Sequence, residues 1–145
     1  MTVGVYGLGR FGSFWAGMLA RSATVCAYSR SAGHPTPEGV RRVGEEEVLS
    51  QPVIIFCVAI SALEEVLQRA RGRLPKEVLV MDTCSVKTHP VNLMEKILPA
   101  HASILGTHPM FGPDSVRDSE GARGGSVSGR LSTSGRYSLS GLWHQ

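Results

Sequence analysis

A doubly wound parallel α/β sheet is the fold class this sequence predicts, and three observations predict it. Short β-rich runs alternate with amphipathic helical stretches as far as Leu105. The run VIIFCV (53–58) is apolar at every position, as strands buried on both faces of a parallel sheet are. A glycine turn, GLGRFG (7–12), stands between the first strand and the first helix.

The elements follow in order. Val3–Tyr6 is a strand that stops at Gly7. Phe11, Phe14, Trp15, Met18 and Leu19 then recur at helical spacing and mark one face of a helix. TVCAY (24–28) is the second strand, HPTPEG (34–39) a turn-rich connection, and 44–49 a short acidic helix. Val53–Val58 is the third strand. Ser61 and Glu64 have capping-box spacing at the head of a helix whose buried stripe is Leu63, Val66, Leu67 and Ala70. Val78–Met81 is the fourth strand and ends at Asp82. Thr88 or His89 opens the next helix, with Pro90 tolerated in its first turn and Leu93, Met94, Ile97 and Leu98 facing inward. Ala102–Leu105 is the fifth strand. In such a sheet the working loops lie at the carboxyl ends of the strands. Here they are 7–12, 29–31, 59–61, 82–87 and 106–113.

The chain has 145 residues, one domain's worth, and 42% are hydrophobic, enough for a real core. The net charge of +3 does not point to nucleic acid. Up to Ser115 there are 11 basic and 10 acidic residues, so the excess lies mostly beyond it, with no basic stripe interleaved with aromatics. Cys26, Cys57 and Cys84 lie apart, with no CxxC and no zinc spacing, so no metal is expected; they read as small apolar residues in a reducing cytoplasm. The first residues enter a strand at once, with no cleavable leader expected. The longest apolar run, VIIFCVAI, has 8 residues and makes a buried strand instead of a membrane span.

Gly7, Gly9 and Gly12 form G-x-G-x-x-G after a strand and before a helix, the fingerprint of a Rossmann-type dinucleotide fold. Gly7 permits the tight turn, Gly9 leaves backbone open to a pyrophosphate, and Gly12 allows close packing. Leu8, Arg10 and Phe11 complete the loop. NAD readers place a carboxylate at the end of the second strand. This chain has Tyr28-Ser29-Arg30-Ser31 instead. Ser29 and Ser31 can donate to a phosphate and Arg30 can pair with it, which favours NADP over NAD. Plain alternatives stand beside these readings: an ordinary glycine turn, and a solvated Arg30.

Two further loops carry chemistry-bearing residues. DTCSVKT (82–88) and GTHPMFGP (106–113) follow neighbouring strands, so Ser85 and His108 could meet over a nicotinamide. His108 could take a proton from a hydroxyl as hydride leaves the same carbon, with Ser85 orienting it. Pro109 and Pro113 would stiffen the loop. Ser85 could instead cap the next helix, and Lys87 could be a surface charge or attract a carboxylate. Asp82 could bond neighbouring backbone. His34, His89, His101 and His144 show no partner pattern.

GLGRFGSFWA, VIIFCVAISALEEVL, DTCSVKTHPV and ILGTHPMFGPDS, in this order, resemble the prephenate/arogenate dehydrogenases over about residues 2–117. The last two motifs are the specific ones. The resemblance implies an NADP-dependent oxidative decarboxylation of prephenate or arogenate in tyrosine biosynthesis. It implies His108 as acceptor of the substrate hydroxyl's proton or hydrogen bond. It implies Ser85 bonded to both His108 and that hydroxyl, and Cys57, Val58, Ala59 and Ile60 lining the cofactor. Relatives dimerise through a further helical domain, which is not recognisable here.

From Val116 to Gln145, 13 of 30 residues are Ser or Gly and no period survives. The expectation is therefore a partial nucleotide domain over 1–116, its sheet incomplete at the C-terminal end, and a disordered tail over 117–145. The abrupt change suggests a chain read out of frame and a truncated enzyme. Two alternatives remain: another NADP-dependent reductase of a small keto or hydroxy acid, and a non-catalytic dinucleotide-binding fragment.

Overall fold

The computed structural model describes residues 1–84, 88–107 and 113. Strand β1 (Thr2–Tyr6) leads through the glycine turn into helix α1 (Arg10–Leu19). Strands β2 (Thr24–Tyr28) and β3 (Val40–Arg42), helix α2 (Glu45–Leu49), strand β4 (Val53–Phe56) and helix α3 (Ile60–Ala70) follow. Strand β5 (Val78–Asp82), helix α4 (Thr88–Ile97) and strand β6 (Ala102–Gly106) complete the described elements. The strands form one sheet in the order β3-β2-β1-β4-β5-β6, and every pair is parallel. This is the doubly wound Rossmann-type sheet, and its order reverses direction between β1 and β4.

Apolar residues divide between the two faces by simple alternation along each strand. Ile54, Phe56, Val80 and Ile104 point to one face and meet Leu63, Leu67 and Met94 from α3 and α4. Ile55, Met81 and Leu105 point to the other with Trp15 of α1. Burying a side chain such as Leu67 contributes about 1.5–3 kcal/mol. The face expected of α1 is shared out. Gly12, Trp15 and Ala16 are buried, whereas Phe14 and Met18 are half-buried at the margin. Phe11 stacks on Trp15 with ring centres 5.9 Å apart.

Three expectations from the sequence need correction. A sixth strand, β3, was not predicted, because it has only three residues and two of them are arginines on a sheet edge. The third predicted strand ends at Phe56, two residues short of Val58, because the Cys57 N–H already bonds the Tyr6 carbonyl at 2.8 Å and the chain turns away. The expected capping box is absent. Ala59 is the N-cap of α3, Ser61 lies inside the helix, and no side chain bonds its N-terminus. Among the described residues no helix is long and apolar enough to cross a membrane.

One polar cluster joins the layers. The Tyr6 hydroxyl donates to Glu45 Oε1 at 2.5 Å. Arg69 and Arg73 bond Glu45 Oε2 at 2.7 and 3.1 Å. Glu45 stands in the first turn of α2, where the helix dipole favours a carboxylate. Burial would raise its carboxyl, but the Tyr6 hydroxyl and the two guanidiniums outweigh burial and hold it below the usual value. Burial first, and Glu45 second, push the Tyr6 phenol above its own. Glu45 therefore binds a proton less readily in the folded chain than in the unfolded one. Its contribution is complete above about pH 4.5 and is lost as pH falls below that value. Glu45→Gln keeps an acceptor for Tyr6 but removes the charge. The two arginines are partly exposed and screened, so the variant should lose about 1–2 kcal/mol at pH 7. It should also lose less stability than the parent between pH 7 and pH 4. Urea unfolding midpoints at both pH values check this.

Candidate functional site

The strand ends define the site. Tyr6 pairs with Tyr28 on one side and Phe56 on the other. Phe56 pairs with Asp82, and Asp82 with Gly106. Five strands thus finish on one line across the sheet. Every candidate residue follows that line within a few positions.

The glycine loop leaves β1 at the point where the strand order reverses. Gly7 has φ +109°, a left-handed conformation that disfavours any side chain. A Cβ there would strike the Cys57 carbonyl oxygen. A Cβ on Gly12 would strike the Gly7 carbonyl oxygen and stand 3.1 Å from the Cys57 Cβ. These two glycines let the start of α1 close onto the ends of β1 and β4. Gly9 differs, because a Cβ there would meet nothing within 4 Å. Among the described residues no packing requires glycine at that position; the open space lies at the N-terminus of α1. Gly9 is the N-cap of α1, no side chain caps it, and the first turn holds no acid. The helix's first N–H groups and its positive dipole end therefore favour an anion. The cradle suits a pyrophosphate.

Cys57, Val58, Ala59 and Ile60 form the opposing wall. Ala59 and Ile60 are exposed, and Cys57 and Val58 are half-buried. The Val58 side chain would lie 3.3 Å from a Cβ on Gly7, so the two loops abut. Burial pushes the Cys57 thiol up to about 12, against a hydrogen bond from Thr83 that lowers it. Held that high, the Cys57 thiol stays protonated.

At the end of β2, Ser29 is half-buried, and Arg30 and Ser31 are exposed. Ser29 Oγ lies 3.4 Å from His34 Nδ1. The residue that organises this loop is one the sequence reading missed. Arg42, at the end of β3, donates to the carbonyls of Ser29, Ser31 and His34. The only trace of it in the sequence is a pair of arginines after a turn.

On the other side, β5 and β6 end together. The Thr107 hydroxyl donates to the Asp82 carbonyl at 2.5 Å, and Thr107 is buried. The Asp82 carboxylate accepts the Cys84 N–H at 2.9 Å, the backbone role foreseen for it. Ser85 begins three residues beyond Asp82, and His108 two beyond Gly106. Ser85, Lys87 and His108 lie outside the described residues, as do Pro109 and the stretch 117–145.

The comparisons with known proteins agree with this arrangement. The family model described as "Prephenate dehydrogenase, nucleotide-binding domain" matches residues 24–125. Arogenate dehydrogenase 1, chloroplastic, of Arabidopsis thaliana is 38% identical over 125 residues, covering 81% of this chain and 20% of that protein. Arogenate dehydrogenase 2 of the same plant is 34% identical over 126 residues, covering 82% of this chain and 35% of that protein. The chain thus spans about a fifth to a third of these relatives' length. Among solved structures, Synechocystis arogenate dehydrogenase superposes with TM-score 0.62 at 22% identity, over 75% of this chain and 41% of that one. Prephenate dehydrogenase from Aquifex aeolicus, in complex with hydroxyphenyl propionate and NAD+, gives 0.60 at 20% identity, over 76% and 42%. These two likenesses speak for the fold. With the family match covering most of the sheet and both loops beyond β5 and β6, the chain belongs to the prephenate dehydrogenase family, by its nucleotide-binding domain.

Proposed function

We propose that this chain is the nucleotide-binding part of an NADP-dependent prephenate or arogenate dehydrogenase acting in tyrosine biosynthesis. One observation carries the reading. The two loops with family-specific motifs, D-x-x-S-V-K and G-x-H-P-M-x-G-P, leave neighbouring strands whose last residues, Asp82 and Gly106, are paired. In a sheet of this kind that is where substrate meets cofactor.

The roles follow from position. Gly7, Leu8, Gly9, Arg10, Phe11 and Gly12 form the pyrophosphate loop, and Cys57 to Ile60 the facing wall. Ser29, Arg30 and Ser31 receive the adenosine 2′-phosphate, since no carboxylate stands there to bond a ribose hydroxyl. When bound, the nicotinamide supplies the hydride acceptor for the ring carbon bearing the 4-hydroxyl, while carbon dioxide leaves and the ring becomes aromatic. His108 accepts the proton or hydrogen bond of that hydroxyl. Ser85 orients His108 and bonds the same hydroxyl. Lys87 draws in a substrate carboxylate. Residues 1–116 form the nucleotide-binding unit and 117–145 a separate tail. Free cysteines fit a reducing compartment such as the cytoplasm.

Calorimetric titration of NADP+ and NAD+ into the 145-residue chain tests the cofactor. The expected result is saturable binding with NADP+ about tenfold tighter or more, a gap that Arg30→Met narrows several-fold. Equal affinity for both would sink the NADP assignment, and binding of neither would sink the dinucleotide site. The three glycines give a second test. Gly12→Ala drives a Cβ into backbone and should cost about 1–3 kcal/mol of stability. Gly9→Val should melt close to the parent yet bind dinucleotide at least about tenfold more weakly, because its side chain occupies the anion's space. A Gly9 variant that binds as well as the parent would show that the pyrophosphate lies elsewhere.

A further inference from the structure

Residues 29–39 join β2 to its parallel neighbour β3 without a helix between them. A crossover that short has little core of its own to fix it. Arg42 fixes it instead. Nη1 donates to the His34 carbonyl at 2.5 Å, and Nη2 to the Ser31 carbonyl at 2.7 Å and the Ser29 carbonyl at 3.4 Å. The three acceptors bracket Ser29, Arg30 and Ser31, and the Ser29 hydroxyl closes on His34 from the same loop. A planar fork presents its donors from two separate nitrogens in a fixed geometry, whereas a lysine's three donors radiate from one rotatable ammonium.

The charge of Arg42 is as telling as its bonds. A guanidinium beside a carboxylate forms a short, charge-assisted pair. The adjacent Arg41 is matched in this way, to Glu47 at 2.6 Å. Among the described residues no carboxylate lies within ion-pair distance of Arg42, and its side chain is half-buried. Its three partners are neutral carbonyls. They fix the geometry and, among the described residues, leave the positive charge without a carboxylate partner beside the predicted phosphate readers. Partial burial keeps that charge from being screened as a free surface arginine would be.

We propose that Arg42 is a specificity-determining positioning residue. It holds Ser29–Ser31 in the conformation that receives a 2′-phosphate, and its positive charge adds to the attraction for that group. The inference rests on the NADP reading of Ser29, Arg30 and Ser31. It goes beyond that reading in placing the selectivity on a residue of another strand, outside the loop.

The test compares the full chain with Arg42→Met, Arg42→Lys and Arg30→Met. Each is titrated with NADP+ and NAD+, and also with adenosine 2′,5′-bisphosphate and AMP, which isolate the 2′-phosphate. Circular dichroism melts accompany each titration. Arg42→Met is expected to weaken NADP+ and the bisphosphate by about tenfold while changing NAD+ and AMP by less than about threefold. Arg42→Lys keeps the charge but not the fork and should recover part of the ratio. If Arg42→Met does not fold, Arg42→Lys decides alone, and its NADP+/NAD+ ratio must fall below the parent's. A parent that shows no preference for NADP+ overturns the NADP reading, and this inference with it. A parent preference that Arg30→Met reduces, but that both Arg42 variants leave intact, overturns this inference alone. So does a parallel fall in NADP+ and NAD+, which would make Arg42 only a structural staple.

Discussion

Everything in this chain that could touch a ligand depends on parallel strands ending in register. Tyr28, Tyr6, Phe56, Asp82 and Gly106 stand opposite one another, each the last residue of its strand. A slip of one residue in any strand would reverse its faces, moving an apolar set such as Ile54 and Phe56 out of its layer. The hydrophobic core therefore enforces the register, and the register aligns the loops. Stability and placement of function are in this sense one constraint.

The line of strand ends is also reinforced by chemistry that is neither core nor site. Tyr6 packs its ring against Tyr28 and Phe56, at centroid distances of 5.0 and 5.3 Å, while its hydroxyl is held by Glu45. One side chain thus ties the three central strand ends to each other and to α2. At the other end of the line, Thr107 and Asp82 tie β6 to β5 through backbone and side-chain bonds. Between them these contacts fix the strand ends from which the candidate loops leave.

Much of this was legible in the sequence, and the reasons are physical. The strands β1, β2, β4, β5 and β6 are apolar enough to announce themselves, and the α3 stripe Leu63, Val66, Leu67 and Ala70 is buried as its spacing requires. The glycine fingerprint was readable because Gly7 and Gly12 each answer a separate steric demand, while Gly9 is known only by its spacing. What escaped was whatever depends on residues far apart in sequence. The strand β3 has no apolar pattern, and it exists because the Val43 N–H and its neighbours find acceptors on β2. Glu45 and Arg69 are ordinary helix-surface residues until α2 and α3 are set side by side. Arg42 likewise gains its role only once the loop from β2 has folded back. The misplaced capping box has the same origin. Ser61 has suitable spacing, but where the helix starts is decided by how soon β4 lets go of β1.

The start of α3 has one more implication. Its N-cap is an alanine, which offers the free N–H groups nothing, and such a cap is about 1 kcal/mol poorer than serine or aspartate would be. The beginning of α1 is equally bare of side-chain acceptors. Both helix starts follow the line of strand ends, α1 after β1 and α3 after β4, and each leaves its first N–H groups without a side-chain cap. Loading and folding would then be thermodynamically linked, since any ligand that binds only the folded chain raises its resistance to heat with concentration. An anion seated at such a start would complete hydrogen-bonding groups that the polypeptide leaves unfinished.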